Sequence, residues 1–471
     1  MPESDSERRN TMLDLQNMGA YRENNRIEAK RATGGFPHSL WETYSAFANT
    51  IGGVILLGVE ERHDKSLQVV GVPDSRSYME EFWAYVRNSN QVSVNILTPE
   101  DVFVQTVEGK EILVIQVPRA GRRDRPVFLA GNPFTGSYRR DGEGDYRCTP
   151  DEVRSMLRDR SDIPADLAPL TRYALDTLDW DSLEEFRKLM ALQNPGHPLT
   201  ALPNRAFLLS SGAAAQTEER FPANPTLAGL LLFGKLPFLK ETFPRYKLEY
   251  REAMPGGVSL RSGDPDWHGN LFEFYCRISK RLKALAEDLA PKDQELEASI
   301  REAAVNAILH TDYFGGQGLR ILRLPDALQV RNSGLPRIPP EASQGGQMLD
   351  SRNQALTRLF ALIGVGTGTG AGLRGIYTTW ATKGWNKPQL SESFGPDTTS
   401  LRLPLRRLAR DGLGQRILEY LTSAVSAGPP ELAAALGASP LLVQKALSEL
   451  MEESLITRSR SDGSSSYVLR A

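Results

Sequence analysis

Glu302, Asn306 and His310 recur at i, i+4 and i+8 in the run REAAVNAILHTDY (301–313), a spacing that puts a carboxylate, an amide and an imidazole on one face of a helix. Ala, Val, Ile and Leu fill nearly every other position from Ala303 to Leu309, so this helix is expected to be buried on most sides. A solvated face is the ordinary explanation for three polar residues, but the apolar flanks argue against it. On a buried helix such a stripe must meet something polar, because an unpaired polar group in an apolar setting costs roughly 2–7 kcal/mol. The spacing also suits a specific chemistry. A Glu one turn ahead of an Asn can hold a water as general base, while the amide oxygen binds a hard cation such as magnesium between nucleotide phosphates.

Two downstream stretches would have to complete such a site. The run GVGTGTGAGLRGIY places glycines at 364, 366, 368, 370 and 372 ahead of a helix expected near Leu373, and backbone N–H groups at a helix N-terminus suit an anion. Gly366, Gly368, Gly370, Gly372 and Arg374 are therefore candidate phosphate contacts. Asn332, Ser333 and Gly334 follow the strand pattern ALQVRN. The helix resembles the N-box of the GHKL ATPase superfamily, and the run from about Leu271 to Leu405 resembles the RecG-like C-terminal ATP-binding domain of bacterial transcriptional regulators. That resemblance implies ATP and Mg2+ as cofactors, Glu302 as base, Asn306 as magnesium ligand, and His310, Asn332 and Gly334 near the nucleotide. The base-recognition loop of GHKL sites is usually built around an Asp, where this chain has Asn332, Ser333 and Gly334.

The N-terminal third carries a second set of chemistry-bearing residues. Between Arg119 and Arg147 seven arginines face four acids, and this local positive excess is interleaved with Phe128, Phe134 and Tyr138. Such a stretch can neutralise phosphates and stack bases. Candidate contacts are Arg119, Arg122, Arg123, Arg125, Tyr138, Arg139 and Arg140. The order of a strand at RIEAKRA, a helix at HSLWETYSAFANT, a buried strand at IGGVILLGVEE, and YRRDG followed by TPDEV resembles the Schlafen AlbA-type domain over roughly Gly19 to Leu157. The resemblance implies DNA binding. It also raises an alternative, a metal-dependent nuclease in which Glu23, Glu28 and Glu61 hold the cation.

At the other end, three helical patterns and two strand patterns from about Leu405 resemble a winged helix-turn-helix. Recognition would fall to Gln444, Lys445 and Ser448, with Arg458 and Arg460 on the wing. Residues 414–471 hold five basic residues against six acids, so this segment alone lacks a basic footprint, and a dimerisation role competes.

The elements between these sites follow from apolar periodicity. LAGLLLFG and YKLEYREA read as strands, DWDSLEEFRKLMALQ as a helix capped by Asp181, and RPVFLA as a strand. With 471 residues the chain exceeds one ordinary core, and four regions are expected: 1–162 AlbA-type, 163–270 a connecting α+β region, 271–405 a GHKL-like α/β sandwich, and 406–471 a winged helix. The fold class is α+β multidomain. A net charge of −2 makes any nucleic-acid surface local rather than global. Two cysteines, Cys148 and Cys276, exclude a disulfide framework, and no apolar run is long enough for a membrane span. The expectation is a cytoplasmic, homo-oligomeric regulator that binds nucleotide and DNA or RNA. A non-catalytic assembly scaffold is the remaining alternative.

Overall fold

The computed structural model describes residues 25–216, 221–254, 256–264, 267, 269–338, 350–366, 371–395, 397–405, 412–424, 426–452, 455–461 and 464–469. Ile27–Lys30 pairs in parallel with Gly53–Leu57, and helix Ser39–Asn49 makes the crossover between them. Lys110–Val117 and Val102–Val107 extend this four-stranded sheet in antiparallel fashion. The apolar run Gly53–Leu57 is buried at every position because both faces are covered: Val54 and Leu56 enter one core, Ile55 and Leu57 another. Helix Ser75–Val86, capped by the Asp74 side chain, stacks Tyr85 on Trp41 with ring centroids 3.7 Å apart. Gly52 has φ 74°, and a Cβ there would lie 2.8 Å from the Val117 carbonyl oxygen, so the helix-to-strand turn requires glycine.

Two hairpins flank this sheet, Val59–Glu61 with Leu67–Val69 and Tyr138–Asp141 with Gly144–Arg147. Helix Pro150–Arg160 follows, opened by a Thr149/Glu152 capping box with Pro at N1. RPVFLA, expected as a strand, makes only isolated bridges, Val92 to Leu129 and Phe128 to Ser137.

The central unit is built on a six-stranded sheet in the order Ser259–Arg261, Leu248–Glu252, Leu319–Arg323, Ala327–Ser333, Thr398–Pro404, Gln389–Ser393. All neighbours are antiparallel except Leu248–Glu252 with Leu319–Arg323. Helix Gln294–His310 packs on Ala327–Ser333 and against helices Leu271–Leu289 and Ala371–Thr382. One hydrophobic core runs from Tyr173 to Leu403. The expected boundary at 270/271 is thereby corrected: the middle region supplies two strands of the same sheet and shares its core.

Two local readings are also corrected. Leu227–Phe233 is a helix, not a strand, opened by Thr226 whose hydroxyl accepts from the Gly229 N–H at 3.1 Å. Helix Trp180–Gln193 is capped by Asp179, not Asp181, with its carboxylate accepting from the Ser182 N–H at 3.0 Å.

The C-terminal segment has helices Gly412–Ala424, Pro429–Leu436 and Pro440–Glu452 and a three-stranded antiparallel sheet of Ser426–Ala427, Ser464–Leu469 and Ile456–Ser461. It closes on its own core around Ile417, Leu421, Leu432, Val443 and Leu447. Among the described residues no helix is long and apolar enough to cross a membrane.

Candidate functional site

Helix Gln294–His310 is fixed at its start by Asp293, whose carboxylate accepts from the Leu296 N–H at 3.0 Å and pairs with Lys383. From Glu302 to His310 every residue is buried except Glu302, Asn306 and His310. These three line one cavity of about 420 Å³, together with Asn332, Gly366 and Gly372. That size falls within the usual range for small-molecule sites. Its walls are largely apolar, with Ala303, Ala307, Leu373, Leu390 and Leu401 among them. Among the described residues, no side chain or backbone group hydrogen-bonds the Glu302 carboxylate, the Asn306 amide or the His310 ring. The polar stripe lines the cavity without a hydrogen-bond partner among the described residues.

Burial raises the Glu302 carboxyl above the usual range, partly offset by Arg301. Burial, reinforced by Arg352 and Arg337, lowers His310 to about 4, so the imidazole is neutral at pH 7 and offers one acceptor and one donor. Gly372 sits against Glu302: a Cβ there would lie 2.1 Å from Oε1. Gly366, at φ 60°, is packed on Leu309 and Val305, where a Cβ would lie 2.9 and 3.0 Å away. Both glycines permit a close approach to helix Gln294–His310. Gly368 and Gly370 lie outside the described residues. Arg374 is exposed and lies outside the cavity wall. Gly334 is likewise absent from the wall. Its φ of 92° and missing side chain make room for Arg352, whose Nη1 would lie 2.1 Å from a Cβ.

Arg337 and Arg352 line the cavity and were not singled out from sequence. Arg352 donates through Nε and Nη2 to the two carboxylate oxygens of Asp159, at 3.0 and 2.7 Å, and through Nη1 to the His310 carbonyl at 2.6 Å. Arg337 Nε also donates to Asp159, at 3.0 Å, and Nη1 reaches Asp350 at 3.3 Å. Burial alone would raise the Asp159 carboxyl, but Arg352 and Arg337 hold it far below the usual range. Asp159 belongs to the helix that closes the N-terminal unit, so the cavity wall is held from outside the central unit.

The N-terminal arginines are spent in the same junction. Arg119 pairs with both oxygens of Glu392 at 2.9 Å, Arg122 with Asp350, and Arg139 with Glu152 and the Phe394 carbonyl. Arg140 is bound by Glu28 at 2.8 Å and Asp145 at 2.9 Å, and Arg125 is buried. Tyr138 donates its hydroxyl to Glu42 at 2.9 Å. Of the seven arginines, Arg123, paired with Asp162, and Arg147, over the Tyr138 ring, are exposed. The expected solvent-facing basic patch is therefore corrected. Three of its counter-charges, Glu392, Asp350 and Glu28, stand more than a hundred positions away in the chain, where no local charge count detects them, and Asp145, Glu152 and Asp162 supply the rest locally.

Of the carboxylates of the nuclease alternative, Glu28 is fully engaged and Glu61 only in part, its Oε1 being buried without a hydrogen-bond partner among the described residues. Glu28 is buried between Lys30, at 2.5 Å, and Arg140. Glu61 pairs with Lys65 at 3.0 Å, and Glu23 lies outside the described residues. Among the described residues no three His, Cys, Asp or Glu side chains gather closely enough to hold a metal ion.

The parallel strand pair with its crossover helix, the two hairpins and the closing capped helix are the context in which the family comparison is informative. Residues 23–149 match the family described as Schlafen, AlbA_2. This segment is an AlbA_2 domain. Residues 154–249, from the helix that closes the AlbA_2 domain to the second strand of the large sheet, match a domain of unknown function (DUF8451). No curated protein matches the chain. Among solved structures, the DIP2311 protein from Corynebacterium diphtheriae is 18% identical over 99% of this chain and 85% of its own, with a TM-score of 0.42. The N-terminal domain of a RecG-related protein from Nitrosomonas europaea is 34% identical over 29% of this chain and 90% of its own, with a TM-score of 0.23.

Beyond the AlbA_2 domain and the central unit, Gln444, Lys445 and Ser448 lie exposed along helix Pro440–Glu452. Lys445 approaches Glu449 at 3.8 Å. Arg458 is exposed on strand Ile456–Ser461. Arg460 falls on the same strand, and its side chain lies outside the described residues.

Proposed function

We propose that this protein is a nucleotide-responsive, nucleic-acid-binding regulator in which the 420 Å³ cavity takes a magnesium nucleotide. One observation carries this reading: Glu302, Asn306 and His310 face a single apolar-walled cavity with no partner among the described residues. A merely structural stripe would have been satisfied by its surroundings. The donor set fits the group. Asn306 offers a neutral oxygen suited to a hard cation, and magnesium, when bound, neutralises phosphate charge. Glu302, lifted by burial, is a stronger base than an exposed carboxylate and would orient and deprotonate a water. Neutral His310 would serve as a hydrogen-bonding group rather than a charge.

Asp159 supplies the physical basis for coupling. An anionic ligand beside Arg337 and Arg352 competes with Asp159 for the same guanidinium groups, so occupancy would be felt by helix Pro150–Arg160, which directly follows the AlbA_2 domain. Nucleic acid would be met by the AlbA_2 domain, as its family suggests, and by the C-terminal unit read as a winged helix through Gln444, Lys445, Ser448 and Arg458.

Calorimetry with ATP, ADP and GTP in the presence of Mg2+ tests the cavity. Asn306→Ala should abolish magnesium-dependent binding, whereas Glu302→Gln should bind nucleotide and stop any hydrolysis. No nucleotide binding by the parent, or unchanged binding in Asn306→Ala, would overturn the reading. Anisotropy with duplex DNA and RNA, with and without ATP, tests the coupling. Cleavage of labelled RNA or DNA in Mn2+ that disappears in Glu28→Ala would instead establish the nuclease.

A further inference from the structure

A second, smaller cavity of about 50 Å³ lies where the AlbA_2 domain meets the central unit, bordered by Arg122, Arg125 and Arg139 on one side and Leu335, Phe394 and Asp397 on the other. Arg125 is the anomaly within it. The residue is 6% exposed, its Nε reaches no acceptor, and among the described residues no carboxylate pairs with it. The nearest acids in its field, Asp159 and Glu392, are already held, Asp159 by Arg352 and Arg337 and Glu392 by Arg119. Nη2 of Arg119 is also buried without an acceptor.

Other charged groups facing the cavity do not supply the missing counter-charge. Glu152 is tied to Arg139 and to its own helix cap. Asp397 is pushed up to about 7 by burial and by Glu152. Burial and Arg119 lower Arg125 only to about 10, so it stays charged at neutral pH. Water can satisfy guanidinium N–H groups but cannot neutralise the charge, and an uncompensated buried ion is strongly destabilising. A void of this size holds a few waters or one small tetrahedral ion.

We propose that this cavity binds one small oxyanion of the phosphate or sulfate class, with Arg125 as principal ligand, and that the anion bridges the AlbA_2 domain to the central unit. Planar guanidinium forks match tetrahedral oxyanions in charge and in bidentate geometry. The anion comes either as the free ion or as the phosphoryl end of a nucleotide, because Leu335 is a wall shared with the larger cavity.

The test uses the full chain in chloride, titrated with potassium phosphate at constant ionic strength and followed by thermal unfolding and calorimetry. The midpoint should rise saturably, sulfate should substitute, and Arg125→Gln should weaken the affinity by about tenfold or more, the equivalent of losing one charge-assisted pair. Arg125→Lys, which keeps charge without the fork, should fall between. Asn306→Ala should leave the phosphate response intact, which separates this site from the magnesium nucleotide reading. If inorganic phosphate has no effect but Arg125→Gln weakens ATP binding about tenfold, the site stands and its anion is the nucleotide's. A parent that responds saturably to none of phosphate, sulfate or ATP overturns the proposal, as does an Arg125→Gln variant that responds like the parent.

Discussion

Asp159 and Arg352, 193 positions apart, form a two-point ion pair at 3.0 and 2.7 Å that fastens the last helix of the N-terminal unit to the wall of the large cavity. Both side chains are nearly inaccessible to solvent, at 15% and 9% exposure. Replacing Asp159 with Asn should therefore cost about 3–5 kcal/mol, because it strands Arg352 and Arg337 as buried cations. Urea unfolding checks it. A loss below about 1 kcal/mol, the range of exposed pairs, would mean that the pair contributes no more than a surface bridge.

His310 should carry an acid-sensitive contribution to stability that lies well above the carboxylate range. The His310 imidazole is lowered to about 4 in the fold against about 6.5 in an unfolded chain. Between these values the unfolded state binds the extra proton, so the His310 contribution to stability falls as pH drops from about 6.5 to 4, by at most about 1.4 kcal/mol per pH unit, while the Asp397 carboxyl, raised to about 7, contributes in the opposite sense. The Asp159 carboxyl, held low, adds a further loss as pH falls below about 3.9. Between pH 7 and 4, urea midpoints of His310→Gln should fall less, or rise more, than those of the parent. An unchanged slope would show that other groups take up the proton.

Two glycines should respond differently to the same added methyl group. At Gly372 the obstacle is the end of the Glu302 side chain, and Glu302 can swing aside, so Gly372→Ala should cost under about 1 kcal/mol while displacing the carboxylate from its place in the cavity. At Gly334 the obstacle is Arg352, pinned by Asp159, and the backbone has φ 92°. Gly334→Ala should cost about 3 kcal/mol or more. Equal costs for the two variants would contradict the rigidity assigned to Arg352.

Charge reversal in the junction should be recoverable. Arg119→Glu and Glu392→Arg should each lower stability, and the double variant should regain most of the loss, with a coupling of about 1–3 kcal/mol in a double-mutant cycle. A cycle that closes near zero would show that the pair forms without stabilising the contact.

The stripe of Glu302, Asn306 and His310 was legible because helical spacing is local and its apolar flanks are unambiguous. The AlbA_2 strand and helix around Gly53–Leu57 and the Thr149 cap were legible for the same reason, each acting within a few positions, whereas helix Ser75–Val86 with its Asp74 cap was not read. What escaped was non-local. Arg119 and Arg122 read as a basic surface because Glu392 and Asp350 stand in another part of the chain. Arg337 and Arg352 carried no distinguishing local signal, since only the arrival of Asp159 turns them inward. Leu227–Phe233 is buried at every position except Leu227, and a run buried all round shows no periodicity by which helix and strand can be told apart.

The parallel pairing of Leu248–Glu252 with Leu319–Arg323 has a consequence for how the chain is assembled and divided. Strand Leu319–Arg323 has Ala327–Ser333 on one side and needs Leu248–Glu252 on the other. A fragment cut at Leu271 would leave its outer row of N–H and C=O groups as a raw edge, open to pairing with another copy. Such a fragment would tend to aggregate even with every cavity-lining residue present. During synthesis the same strand waits for a partner already made, while the opposite side of the sheet must await Thr398–Pro404, which places the central unit among slow-forming, high-contact-order topologies.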